Sequence, residues 1–175
     1  MPTHMGLVLQ AAAFAAEKHR LLKRKDVEAS PYINHPIQVA YILVQADIED
    51  PIVLAAALLH DTIEDTNTTH DELEIVFGHE IANIVVECSD DKTLDKLERK
   101  QAQVDHAGHI SKRAKLVKLA DKIANVSDID GAPPAGWSLE RKREYFDWAR
   151  RVVDQMRGVH PKLEARFDAE YAKRP

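Results

Sequence analysis

The sequence predicts an all-α fold, one helical bundle spanning 1–175, on three observations. Apolar residues recur at helical spacing along nearly the whole chain, and no run alternates with a period of two. Helix-start signals recur: Asn34 with Pro36, Asp50-Pro51, and Thr69 with Glu72. The clearest break, Gly131-Ala132-Pro133-Pro134-Ala135-Gly136, is six residues long, a loop within a domain rather than a linker.

In order, a first helix is predicted over Met5 to Leu22. The polar, basic stretch Lys23 to Pro31 reads as a loop. Asn34 is the expected N-cap of a helix reaching Gln45, with Pro36 in its first turn. Asp50-Pro51 opens the next. From Ile52 to Leu59 the residues are Ile, Val, Leu, Ala, Ala, Ala, Leu and Leu, apolar on every side, which marks a buried central helix. It runs directly into His60-Asp61-Thr62-Ile63-Glu64-Asp65. Thr69 and Glu72 have capping-box spacing and start a helix to about Glu87, with a bend expected at Gly78. Ser89 to Thr93 is polar. Further helices are predicted over Leu94 to Asp105, Lys112 to Ile129, Ser138 to Arg157 and Pro161 to Lys173.

Composition narrows the function classes. The chain is 45% hydrophobic and 30% charged, a globular balance. Its net charge of −5 argues against nucleic-acid binding by bulk charge, though a local basic cluster or a metal can still bind phosphate. No apolar run of about 18 residues exists to span a membrane, and Met1 to Gly6 lacks the pattern of a signal peptide. Cys88 is the single cysteine, which suits a reducing, cytoplasmic setting, and it reads as a core residue. Nine histidines direct attention to metal or acid–base chemistry.

His60-Asp61 ends the buried apolar helix, where an ionised Asp costs several kcal/mol unless compensated. A divalent metal is an effective compensator, and imidazole with carboxylate suits manganese, iron or zinc rather than calcium. His35, at a helix start, and Asp121, on an otherwise apolar helix, are two further candidate ligands. Each alone reads equally well as a cap or a solvated residue; the set on three helices would converge in a bundle core. On a continuing helix, Glu64 and Asp65 fall on the face carrying His60 and Asp61. A nearby carboxylate can orient or deprotonate a water activated by metal. Basic clusters around Lys23 to Lys25, Lys96 to Lys100, Lys115 to Lys122 and Arg141 to Arg143 are candidates for neutralising a phosphorylated substrate.

His35, His60-Asp61 and Asp121 together resemble the signature of HD-type metal-dependent phosphohydrolases. Five longer stretches narrow the resemblance: Phe14 to Arg20, Ser30 to Pro36, Ala56 to Thr66, Asp90 to Leu94 and Ala114 to Lys122. These are similar to the hydrolase domain of RelA/SpoT proteins, above all the stand-alone small alarmone hydrolases of metazoan SpoT type. The likeness runs from about Leu9 to Trp148. It implies an all-α HD fold and a Mn²⁺-dependent 3′-pyrophosphohydrolase, with other divalent metals as alternatives. The implied substrate is a guanosine 3′,5′-bis(diphosphate), cleaved to the nucleoside 5′-diphosphate and pyrophosphate. By motif, His35, His60, Asp61 and Asp121 match the metal ligands, and Glu64 and Asp65 the acidic pair that handles water. Arg24 and Lys25 match a base-contacting loop, and Lys96, Asn125, Arg141 and Tyr145 match positions lining the nucleotide pocket. At 175 residues there is no room for the synthetase domain of longer relatives, so degradation alone is expected. Ile123 to Asp128 departs from the pattern, which bears on the pocket floor.

The expected chemistry is in-line attack of activated water on the 3′ phosphorus. Glu64 is assigned to the water, with Asp65 the other candidate for that role or the acid for the leaving oxygen. The rival readings are an adenosine alarmone hydrolase, an NADPH 2′-phosphatase or other HD nucleotidase, a non-catalytic alarmone sensor and a plain helical interaction domain. The expected partner is a small nucleotide, with no nucleic acid and no membrane; oligomeric state is not fixed by the sequence.

Overall fold

The computed structural model describes residues 2–175, so Met1 of the N-terminal stretch lies outside the described residues. Ten helices follow one another: α1 (His4–Lys18), α2 (Asn34–Gln45), α3 (Pro51–Leu59), α4 (Thr62–Asp65), α5 (His70–Phe77), α6 (His79–Cys88), α7 (Lys96–Ala107), α8 (Lys112–Gly131), α9 (Leu139–Asp154) and α10 (Pro161–Tyr171). The all-α class holds, and no strand occurs among the described residues.

Helix α3 is the hub. Ala55, Ala56, Ala57 and Leu59 are fully buried, and the three small alanines let α3 pack against α1, α2, α6 and α8. Asp50 caps it by accepting from the Ile52 N–H (3.0 Å), with Pro51 in its first turn. Helix α8 crosses the same core and also packs on α2, α6, α9 and α10. The layer that closes the other side of the site is α7 on α9. Asp95 and Glu98 form a full capping box at the start of α7.

Three boundaries differ from the sequence expectation. Helix α1 stops at Lys18 rather than Leu22, because the next residues turn into a small hairpin: the Tyr32 N–H bonds the Leu22 carbonyl (3.0 Å), and Lys23 bridges Pro31. Asn34 does not cap α2. Ile33 is already helical, since the turn at Pro31 (Asn34 N–H to Pro31 carbonyl, 3.2 Å) feeds directly into the helix. The buried helix does not run on through His60-Asp61. The His60 Nδ1–H donates to the Ala57 carbonyl (2.6 Å), and the Thr62 hydroxyl donates to the Leu59 carbonyl (2.7 Å). Side chains thus take carbonyls that the next helical turn would use, and α3 ends. The bend at Gly78 is present, with φ +88°, a conformation that glycine reaches without steric cost.

Candidate metal corner and nucleotide cleft

Three elements deliver four side chains to one point. His35 comes from the first turn of α2, His60 and Asp61 from the α3–α4 break, and Asp121 from the middle of α8. His35 Nε2 lies 2.9 Å from Asp121 Oδ1 and 3.6 Å from Asp61 Oδ2. His60 Nε2 lies 3.1 Å from Asp61 Oδ2 and 3.4 Å from Asp121 Oδ1. With metal–ligand bonds of about 2.1 Å, ligands around one cation sit about 3.0–3.4 Å apart; the two His60 edges fall in that range and the two His35 edges lie just outside it on either side, so a shared divalent ion needs only a small adjustment at His35. The chemistry of the donors agrees. His60 Nε2 is buried without a hydrogen bond, while its Nδ1–H is held by the Ala57 carbonyl. That arrangement fixes the ring through one nitrogen and leaves the other free to bind a cation.

Electrostatics express the same demand for positive charge. Burial works to lower the His60 pKa, but the Asp61 and Asp121 carboxylates outweigh it and hold it well above the usual value. Burial works to raise Asp121, yet the Lys122 ammonium and the two imidazoles hold it far below the carboxylate range. The Lys122 Nζ sits 3.2 Å from Asp121 Oδ2 and 4.4 Å from the centre of the Trp148 ring. Asn125 donates to Asp121 Oδ1 (2.9 Å), and the Tyr32 hydroxyl donates to Asp61 Oδ2 (2.6 Å).

Beside this corner lie Glu64 and Asp65 on the short α4. One carboxylate oxygen from each of Asp61, Glu64 and Asp65 falls within 4.8 Å of the others. The Asp90 backbone N–H donates to Glu64 Oε1 (2.7 Å). Burial, aided by the Asp90, Asp61 and Asp65 charges, pushes the Glu64 pKa up to about 7 despite that bond. Burial and Asp61 also raise Asp65, which Lys92 approaches to 3.7 Å. Gln103 in turn donates to both Asp90 oxygens at 2.8 Å, tying α7 to the same segment.

The corner opens into a cleft of about 690 Å³. Its far wall, from α7, α9 and the loop that precedes α9, carries Lys96, Arg99, Lys100 and Arg141 with Trp137 and Tyr145. Arg141 rests 4.3 Å from the Trp137 ring centre and Lys100 5.1 Å from that of Trp148. Tyr145 stands between the two indoles, and burial pushes its phenol up to about 12. An adjoining cavity of about 660 Å³ shares Lys25, Tyr32, Asn125 and Tyr145 with the cleft and adds Arg24 and Asn34. Here two loops clasp each other: Asp26 bridges Pro134, and the Ala135 N–H bonds the Lys25 carbonyl (2.7 Å).

The structure therefore gathers His35, His60, Asp61, Asp121, Glu64 and Asp65 at one end of the cleft and places Lys25, Lys96, Asn125, Arg141 and Tyr145 along it. Arg24 lies in the adjoining cavity, ion-paired with Asp128 (2.8 Å) and 5.7 Å from the Tyr32 ring centre. Cys88 packs against the core as expected but is only half-buried and also lines the cleft, its thiol pushed up by burial to about 11. Sequence reading gave no individual role to Tyr32, Asp90, Trp137 or Trp148, and it took Lys122 as one of a basic cluster for phosphate, whereas its ammonium is paired with Asp121. Trp137 had a signal, an aromatic directly after the Pro/Gly break; the others owe their place to packing.

Comparison with known proteins agrees with this geometry. Residues 11–147 match the HD domain family. The chain is 54% identical over 169 residues to the guanosine-3′,5′-bis(diphosphate) 3′-pyrophosphohydrolase MESH1 of Xenopus tropicalis, covering 96% of this chain and 94% of that one. It is 54% identical over 165 residues to the Homo sapiens protein of the same name, covering 94% and 92%. The solved structure of a metazoan orthologue of SpoT that hydrolyses ppGpp superimposes with a TM-score of 0.94 at 44% identity, over 99% of this chain and 97% of that one. The helical frame, the matched residues and these likenesses place the chain in the HD domain family, in the branch that holds the MESH1 pyrophosphohydrolases.

Proposed function

We propose that the chain is a 3′-pyrophosphohydrolase of guanosine 3′,5′-bis(diphosphate), dependent on a divalent cation, with Mn²⁺ the proposed ion among those the donor set suits. His35, His60, Asp61 and Asp121 would hold the ion. When bound, it supplies Lewis-acid activation of water and offsets charge on the diphosphate. The observation that carries the reading is Glu64. Its carboxylate is fixed by the Asp90 N–H beside the His/Asp corner, at the head of a cleft whose opposite wall is cationic and aromatic.

Water attacks the phosphorus bonded to the 3′ oxygen. Glu64 accepts a proton from it; a carboxylate with a pKa near the working pH can take and release a proton. A bond forms from the water oxygen to phosphorus, and the bond from phosphorus to the 3′ oxygen breaks. The 3′ oxygen leaves with a proton, for which Asp65, also raised, is the nearby donor. Lys96, Lys100 and Arg141 bind phosphate oxygens as charge clamps. Trp137 and Tyr145 offer faces to the flat base. Tyr32 and Lys122 position Asp61 and Asp121.

The test is incubation of Mn²⁺-loaded protein with guanosine 3′,5′-bis(diphosphate) and separation of products by ion exchange. GDP and pyrophosphate, lost in His60→Ala, are expected. Orthophosphate release, or turnover only of NADPH or the adenosine analogue, would overturn the substrate assignment.

A further inference from the structure

Outside the cleft, the corner between α5 and α6 gathers a second set of metal-type donors. His70 opens α5, Glu74 follows one turn later on the same face, and His79 opens α6 beyond the Gly78 bend. One donor atom from each lies within 4.8 Å of the other two. Glu74 Oε1 is 2.9 Å from His79 Nδ1, and Glu74 Oε2 is 3.6 Å from His70 Nδ1. These separations bracket the roughly 3.3 Å edge of a tetrahedral site with bonds of about 2.0–2.1 Å.

The distal nitrogens are also organised. Asn83, one turn into α6, lies between the two rings: His70 Nε2 is 2.9 Å from its Oδ1, and its Nδ2 is 2.8 Å from His79 Nε2. A histidine that binds metal through Nδ1 holds its other N–H against an oxygen acceptor. Asn83 provides that acceptor to His70 as it stands. Toward His79 Asn83 presents its NH2, so that ring would bind an ion through Nδ1 only after its Nε2 exchanges this donor for a water or another acceptor. The cluster is partly open to solvent, with His79 the most exposed member. This leaves a route for an ion and room for water as a fourth ligand.

We propose that His70, Glu74 and His79 form a surface site for a borderline divalent cation of the zinc class, fastening α5 to α6 across Gly78. Two imidazoles and one carboxylate are the donor set such ions take, and calcium or magnesium would prefer all-oxygen ligands. The site is separate from the metal corner of the cleft. It joins two helices whose mutual angle rests on one glycine, so a bound ion stabilises that corner by binding the folded state alone.

Metal-free full-length protein is dialysed against micromolar Zn²⁺, and zinc per chain is counted by atomic emission. Because the cleft can also take zinc, the count is made as a difference between wild type and His70→Ala/His79→Ala, and repeated on a His60→Ala background. The double variant should hold one zinc fewer per chain in both backgrounds, with Mn²⁺-dependent hydrolysis unchanged. Equal counts would overturn the proposal; if His60→Ala does not fold, the first pair alone decides. Glu74→Gln, nearly isosteric, should weaken zinc binding at least about tenfold. Zinc should raise Tm more in wild type than in the double variant, and an identical rise in both would overturn the fastening role.

Discussion

The two ends of the cleft are built on opposite terms. At the metal corner each carboxylate already has partners: Asp121 meets His35, Lys122 and Asn125, and Asp61 meets Tyr32. His35, Asp121, Lys122 and Asn125 are carried by α2 and α8, and Tyr32 and Asp61 by the turns that enter α2 and leave α3. Along the rim, Arg141 and Lys100 lie against aromatic faces instead, on α7, α9 and the loop between α8 and α9. One end has its charge balanced by carboxylate partners; the other keeps cations against rings without a carboxylate partner of that kind among the described residues, as the proposed binding of phosphate requires. Damage at the corner should therefore abolish chemistry, and damage at the rim should loosen binding.

The largest effect should come from Asp121→Ala. Loss of bound Mn²⁺, measured by metal analysis, and a fall in turnover of more than about 100-fold are expected. The metal-free variant should also lose about 3–5 kcal/mol of stability, because Lys122 is left buried without its counter-charge. Turnover near wild type would remove Asp121 from the corner. Next, Glu64→Gln should retain Mn²⁺ while kcat drops about 10²–10⁴-fold. In wild type the acid limb of kcat/KM should fall at or below pH about 7, since a bound cation lowers the Glu64 pKa from its metal-free value of about 7. A limb well above that pH would exclude Glu64 as the base.

Tyr32→Phe removes the bond to Asp61 and should cost about 10–100-fold in metal affinity or activity. At the rim, Arg141→Ala should raise KM about tenfold with kcat nearly kept, since a hydrogen bond to a charged group is worth about 1.5–3 kcal/mol. An equal loss in kcat would show that the rim acts in the transition state and would erase the contrast with the corner. The smallest effect is thermodynamic. Glu64 has its folded pKa raised to about 7 from 4.5, so its protonated form favours folding, and that contribution is lost as pH rises through about 7. Metal-free Glu64→Gln should match wild type near pH 4.5 and gain about 1–3 kcal/mol by pH 8, read from denaturant melts.

The same contrast separates what the sequence discloses from what it hides. His60-Asp61 at the end of an apolar run, and Asp121 inside another, are polar residues where the pattern demands apolar ones. Such violations are visible in one dimension. The stop in α3 is not, because it depends on Thr62 and His60 turning back onto carbonyls that a continuing helix would have used. Tyr32 and Lys122 are neighbours of His35 and Asp121 along the chain, yet that Tyr32 bonds Asp61 and that Lys122 turns inward onto Asp121 and Trp148 is set by packing. Trp148 is a helix-face aromatic like any other until α7 and α8 bring Lys100 and Lys122 against it. The α1 boundary failed for a similar reason: Leu21 and Leu22 have helical character, but hairpin pairing overrode it.

Glu64 is held by a main-chain donor, the Asp90 N–H, rather than by a side chain. Any residue at 90 except proline brings that donor, so the grip on Glu64 is insulated from drift at the position that supplies it. The Asp90 carboxylate has a separate duty to Gln103 and α7. Homologues are thus free to redesign how α7 is tethered, and with it the reach of Lys96 into the cleft, without disturbing the carboxylate proposed to handle the water.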